Sequence, residues 1–264
     1  MAYDPALYEL THRGNPGDVE FYSRACEGAR SVLELGTGYG RIALGLAAAG
    51  YEVVGLELDP GLLELARAAK AAQLEAAGAE VKVGAATVSE TDSLEFVLGD
   101  MRQFELGRRF DRVIIPHSGL YCLLEPGEVA SCLRAARAHL CPGGLLVLDG
   151  YAADDFHEES LPEDVPDDQL EPITEIEAQG TRYTVFEQSR WDRDSQRIDA
   201  TYLYREEPSG REVRYLLPQR YLLRRELEAL LDAAGFSVSL VRGSFSGDAY
   251  DEDAEHLIVI AEAS

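Results

Sequence analysis

Two rhythms of apolar and polar positions run along this chain. Val32, Leu33 and Leu35 make a short apolar run that stops at a cluster of glycines, as a buried parallel strand does, and a helical pattern follows over 40–49. A second run, 51–57, leads into Asp59-Pro60, an N-cap with proline at the first helical position. Leu62, Leu63, Leu65, Ala66 and Ala69 then recur at helical spacing. Further strands are expected at 94–98 and 110–115, so strand and helix alternate as in a parallel α/β sheet.

From about 173 to 217 the period becomes that of strands. The runs 182–186, 198–204 and 213–216 are broken by Asp192-Arg193-Asp194-Ser195 and by Glu207-Pro208-Ser209-Gly210, which predicts a small antiparallel β insertion. A helix over 222–233, with Leu223, Leu227, Leu230 and Leu231 inward, and two closing strands follow. Residues 78–93 are small and polar, an extended connection. Residues 151–172 hold nine acids among three prolines and read as a long acidic loop, a solvated lid. The expected organisation is a single domain over 1–264: an N-terminal helical lid (1–30) with Tyr3, Leu7, Tyr8, Phe21 and Tyr22; a cofactor-binding core (31–150); the acidic loop and β insertion (151–219); and a closing unit (220–264).

The chemistry concentrates where the first strand ends. Glycines at 36, 38 and 40 permit positive φ and close approach of backbone N–H groups to a ligand at a helix start. Gly38-Tyr39-Gly40-Arg41-Ile42-Ala43 also fits the dinucleotide pattern G-x-G-x-x-G/A. Glu34 argues against a pyrophosphate there, since a carboxylate beside the loop repels phosphate and suits a ligand with an ammonium group. Glu57, at the end of the second strand, is positioned to accept both hydroxyls of a ribose. Asp100 and Met101, after the third strand, suit an adenine amino group and its ring face.

Composition narrows the partners. The chain has 264 residues, with 48 acids against 24 basic residues and a net charge of −24. That field opposes nucleic-acid phosphate, and no membrane span or signal segment is evident, so a cytoplasmic enzyme with a small-molecule partner is expected. Cys26, Cys122, Cys132 and Cys141 lack metal or redox spacing and read as free thiols.

Together, Glu34-x-Gly36-x-Gly38-x-Gly40, Glu57, Asp100-Met101 and Phe110-Asp111-Arg112-Val113-Ile114-Ile115 resemble the class I S-adenosylmethionine-dependent methyltransferases. The resemblance continues through Leu140-Cys141-Pro142-Gly143-Gly144 and Ala234-Gly235-Phe236, and is to the small-molecule type that N-methylates amino sugars. It implies a Rossmann-like, doubly wound seven-stranded sheet whose last strand is antiparallel, with S-adenosyl-L-methionine as cofactor and S-adenosyl-L-homocysteine as product.

By that resemblance Glu34, Gly36, Thr37, Gly38 and Gly40 would hold the methionine part, Glu57 the ribose, and Asp100 with Met101 the adenine. Leu58, Pro116 and His117 would complete the cofactor contacts. His117 is the candidate base or acceptor-positioning residue, with an ordinary pKa near neutrality, and Tyr8, Ser118, Tyr121 and Arg220 are candidates for the acceptor. No metal is implied, and a monomer or homodimer is expected. DNA amino-methylating relatives carry Asn/Asp-Pro-Pro-Tyr/Phe where this chain has Ile115-Pro116-His117-Ser118, a second mark against nucleic acid. Two other classes share the glycine loop and Glu57: an NAD(P)-dependent oxidoreductase and a non-catalytic cofactor-binding module.

Overall fold

The computed structural model describes residues 3–76, 93–160 and 170–263. The expected connection at 78–93 lies outside these ranges except for Ser93, as do residues 161–169 of the acidic segment.

Two short helices, α1 (Pro5–Thr11) and α2 (Asp18–Ala25), precede the alternating core. The core runs β1 (Ser31–Leu35), α3 (Arg41–Ala48), β2 (Glu52–Glu57), α4 (Pro60–Ala76), β3 (Leu94–Leu98), β4 (Phe110–Ile115), α5 (Pro126–Ala138) and β5 (Leu140–Tyr151). After α6 (Asp154–Glu159) come β6 (Glu171–Ala178), β7 (Thr181–Asp192), β8 (Arg197–Glu207) and β9 (Glu212–Arg220). Helix α7 (Arg224–Ala233), β10 (Phe236–Arg242) and β11 (His256–Ala263) close the chain.

Seven strands form one sheet in the order β10-β11-β5-β4-β1-β2-β3. Strands β1 to β5 pair in parallel, and β11, the last strand, is antiparallel to both its neighbours. Both faces are covered, which is why the strands read as near-continuous apolar runs. Leu33, Leu35, Val54 and Leu56 point to one face, with Leu133, Leu227 and Leu231 from α5 and α7. Val32, Val53 and Ile114 point to the other, against Tyr22, Ile42, Leu46 and Leu63. Strand order reverses between β1 and β4, and in an open α/β sheet the crevice beyond the strand ends at that reversal is where ligands bind.

The insertion is a separate antiparallel sheet, β6-β7-β8-β9, with its own core of Ile176, Val185, Ala200, Tyr202, Tyr204 and Tyr215. Leu7 of α1 belongs to that core, so the N-terminal segment is bound to the insertion.

Two expectations are corrected. The insertion has four strands, because β6 begins inside the acidic segment; its alternation is masked by exposed acids, with Ile176 alone fully buried. Residues Asp154–Glu159 are helical, with Asp154 and Asp155 in the first turn, where the helix dipole favours negative charge. Helix α7 also starts later than periodicity suggests, after an extended Leu223. Among the described residues no helix is long and apolar enough to cross a membrane.

Candidate active site

The loop after β1 is strapped to the end of β2. Gly36 and Thr37 donate their N–H groups to the carbonyl of Leu56 at 2.9 and 3.0 Å, and Gly38 donates to Glu57 Oε2 at 2.7 Å. Gly38 has φ 58°, with open space where a side chain would stand. Gly40 has φ 86°, and a Cβ there would meet Phe96 Cζ at 2.7 Å, so helix α3 can sit this close to β3 only on a glycine.

Glu57 is the anchor of this corner. Besides Gly38, it accepts the N–H groups of Leu58 and Asp59, both at 2.9 Å on Oε1. Three of about four carboxylate acceptor positions are therefore filled by backbone, leaving room on Oε2 for one further hydroxyl rather than two. Burial pushes its pKa up, against the pull of those three bonds.

Glu34, in the middle of β1, is buried, and its Oε2 has no hydrogen-bond partner. Thr37 Oγ1, also buried, has none. Burial raises the Glu34 pKa to about 8. These two residues line a small recess with Tyr8, His12, Tyr39, Arg41 and His117. Arg41 is held there by Asp18, Nη1 to Oδ1 at 2.7 Å and Nη2 to Oδ2 at 2.5 Å.

The recess adjoins a main cavity of about 360 Å³ beyond the ends of β1, β2 and β4. Gly36, Gly38, Glu57, Leu58, Asp100, Met101, Pro116, His117 and Tyr8 line this cavity, as the sequence leads one to expect. Asp100 is gripped by Arg102, whose Nε meets Oδ1 at 2.9 Å and Nη2 meets Oδ2 at 2.6 Å; Arg102 also pairs with Glu128 of α5.

His117 has φ 55°, in the left-handed region. Its N–H donates to Asp149 Oδ1 at 2.9 Å, an oxygen that also accepts the Tyr22 hydroxyl at 2.6 Å. Burial lowers the His117 pKa below its ordinary value, against the pull of Asp149, so the ring is neutral at pH 7 rather than half-titrated. Asp149 itself is raised by burial.

Three expected acceptor residues are not brought to the cavity. Tyr121 is buried, with its hydroxyl held between the carbonyls of Tyr151 (3.1 Å) and Leu222 (3.3 Å). Ser118 accepts the Tyr151 N–H at 3.3 Å. Arg220 is committed to Glu226 at 2.6 Å and to Gln196 Oε1 at 3.1 Å. Their partners lie within the fold and satisfy them there. In their place the cavity takes Tyr3, Arg102, Cys122, Leu216 and Leu217, which sequence reasoning did not assign to it. Two of the exposed large apolar residues, Leu58 and Leu216, line this cavity.

A seven-stranded sheet of this order, with a glycine loop and acids at successive strand ends, is shared with known enzymes. Residues 32–144 match the family model for a methyltransferase domain. The matched stretch, less than half of the chain, is a methyltransferase domain. This methyltransferase is 28% identical over 251 residues, 91% of this chain and 86% of the relative, to dTDP-3-amino-3,6-dideoxy-alpha-D-glucopyranose N,N-dimethyltransferase of Streptomyces fradiae. Its structure is similar to the CcbJ methyltransferase from Streptomyces caelestis, with TM-score 0.76, 25% identity, and coverage of 96% of this chain and 98% of the other. The fold is also that of CalS10, an amino pentose methyltransferase from Micromonospora echinaspora solved with S-adenosylmethionine bound (TM-score 0.65, 24% identity, 100% and 98% covered).

Proposed function

We propose that this methyltransferase transfers a methyl group from S-adenosylmethionine to the amino nitrogen of a small molecule. The observation that supports the cofactor is the buried, unpartnered Glu34 Oε2 beside the glycine loop, which suits an ammonium group. The residues fit the cofactor from end to end. Glu34 and Thr37 would take the ammonium of its methionine part, and Glu57 Oε2 a ribose hydroxyl. Leu58 and Met101 would cover the adenine, with Asp100, held by Arg102, at its amino group.

When bound, the cofactor supplies an activated methyl group on a sulfonium. What the chain adds is position: an acceptor lone pair held in line at roughly 3 Å in a site without water. Tyr3, Tyr8, Leu216 and Leu217 give the cavity apolar lining. His117, neutral at pH 7, can accept an N–H of the amine through its free ring nitrogen and aim the lone pair. An amine needs no base at the moment of transfer, which suits a wall so poor in free acid–base groups. The N-methylating relatives support nitrogen over oxygen. We read the enzyme as cytoplasmic, with no nucleic-acid partner, because a net charge of −24 opposes phosphate binding.

Calorimetric titration with S-adenosylhomocysteine, NAD and NADP in parallel tests the reading. Micromolar binding of S-adenosylhomocysteine alone is the expected result; binding of a nicotinamide nucleotide alone would overturn it.

A further inference from the structure

The Streptomyces fradiae relative acts on an amino sugar named as a dTDP conjugate, so its substrate name includes a diphosphate. A diphosphate is recognised by cations free to reach it, guanidinium forks above all. The cavity of this chain offers none among the described residues. Its wall holds one guanidinium, Arg102, and that group is already shared between Asp100 and Glu128. Arg41, in the adjoining recess, is bound bidentately by Asp18. Arg220 is paired with Glu226 away from the wall, and Arg214, two residues from Leu216, is outside the cavity lining, 62% exposed, with Glu212 at 3.6 Å.

The imidazoles add no positive charge. His12, in the recess, is pushed down to about 4 by burial and by His117, and His117 is itself lowered. The cavity lining includes Tyr3, Leu216 and Leu217, which suit an uncharged carbon skeleton. Lys82 is the only basic side chain in the segments outside the described residues. The whole chain, at −24, attracts a cationic amine and repels a nucleotide.

We infer that the methyl acceptor of this chain is an amine on a phosphate-free small molecule, not an amino sugar carried on a nucleotide diphosphate. The inference rests on the N-methyltransferase reading above and narrows its substrate class.

The test uses the full chain saturated with S-adenosylhomocysteine and titrated calorimetrically with dTDP. No saturable binding up to about 1 mM dTDP is expected, a range in which a built diphosphate site would saturate. In parallel, one amino sugar is offered with S-adenosylmethionine in two forms, as its methyl glycoside and as its dTDP conjugate. Turnover of the glycoside at a kcat/KM at least about tenfold above the conjugate is expected; the dTDP titration decides if neither form is turned over. Saturable dTDP binding, or preference for the conjugate, overturns the inference and leaves the methyltransferase reading intact. Failure to bind S-adenosylhomocysteine at the outset overturns both.

Discussion

The hydroxyl of Tyr22, on the second helix, donates to Oδ1 of Asp149, at the end of the fifth strand, across 2.6 Å. The same oxygen receives the N–H of His117 at 2.9 Å and so helps hold that residue at φ 55°. A tyrosine in the N-terminal segment thereby fixes the loop that presents His117 to the cavity. Removing it leaves a buried carboxylate one donor short, with its other oxygen already unpartnered. Tyr22→Phe is expected to destabilise the protein by about 1–3 kcal/mol in urea unfolding, and to lower kcat more than it weakens S-adenosylhomocysteine binding.

Glu34 makes cofactor binding depend on pH. With its pKa raised to about 8 by burial, the carboxyl is protonated in the free enzyme at neutral pH. An ammonium group beside it favours the charged form and draws that value down, so binding between the two values releases a proton. Affinity for S-adenosylhomocysteine should rise with pH from about 6.5 to about 8, by at most about tenfold per unit, and then level. Calorimetry in buffers of different ionisation enthalpy reads the released proton. A flat profile would remove Glu34 from the ligand.

Glu57 serves the ligand and the loop together. Glu57→Ala strips the acceptor from three backbone N–H groups as well as from a ribose hydroxyl. A loss of about 1.5–3 kcal/mol in S-adenosylhomocysteine affinity is expected by calorimetry, with a fall in Tm. Unchanged affinity would take Glu57 out of the cofactor site.

Gly40 tests the packing behind the loop. Gly40→Ala meets both a left-handed backbone at φ 86° and the ring of Phe96 at 2.7 Å. Together these should cost about 2–4 kcal/mol of stability, read by denaturant unfolding, unless Phe96 moves aside.

That Gly38, Glu57, Asp100 and His117 gather at one cavity was legible because each lies within a few residues of a strand end, and strand order brings the ends together. The acceptor half is assembled from positions far apart in the chain. Tyr3 and Leu217 meet at one cavity because the N-terminal helix packs on the insertion, a docking that no local period records. Arg220 and Tyr121 have the right chemistry at the right place in the chain, yet Glu226 and two backbone carbonyls hold them inside the fold. The strand Glu171–Ala178 was hidden because acids occupy half of its exposed positions and its two isoleucines do not alternate.

Leu216 and Leu217 stand on an edge strand of the four-stranded sheet, whose core is separate from that of the seven-stranded one. This wall of the cavity can therefore be changed by mutation with little penalty to the core of the seven-stranded sheet. One border of the cavity can thus be diversified at Leu216 and Leu217 while the buried Tyr215 and the glycine loop are left alone.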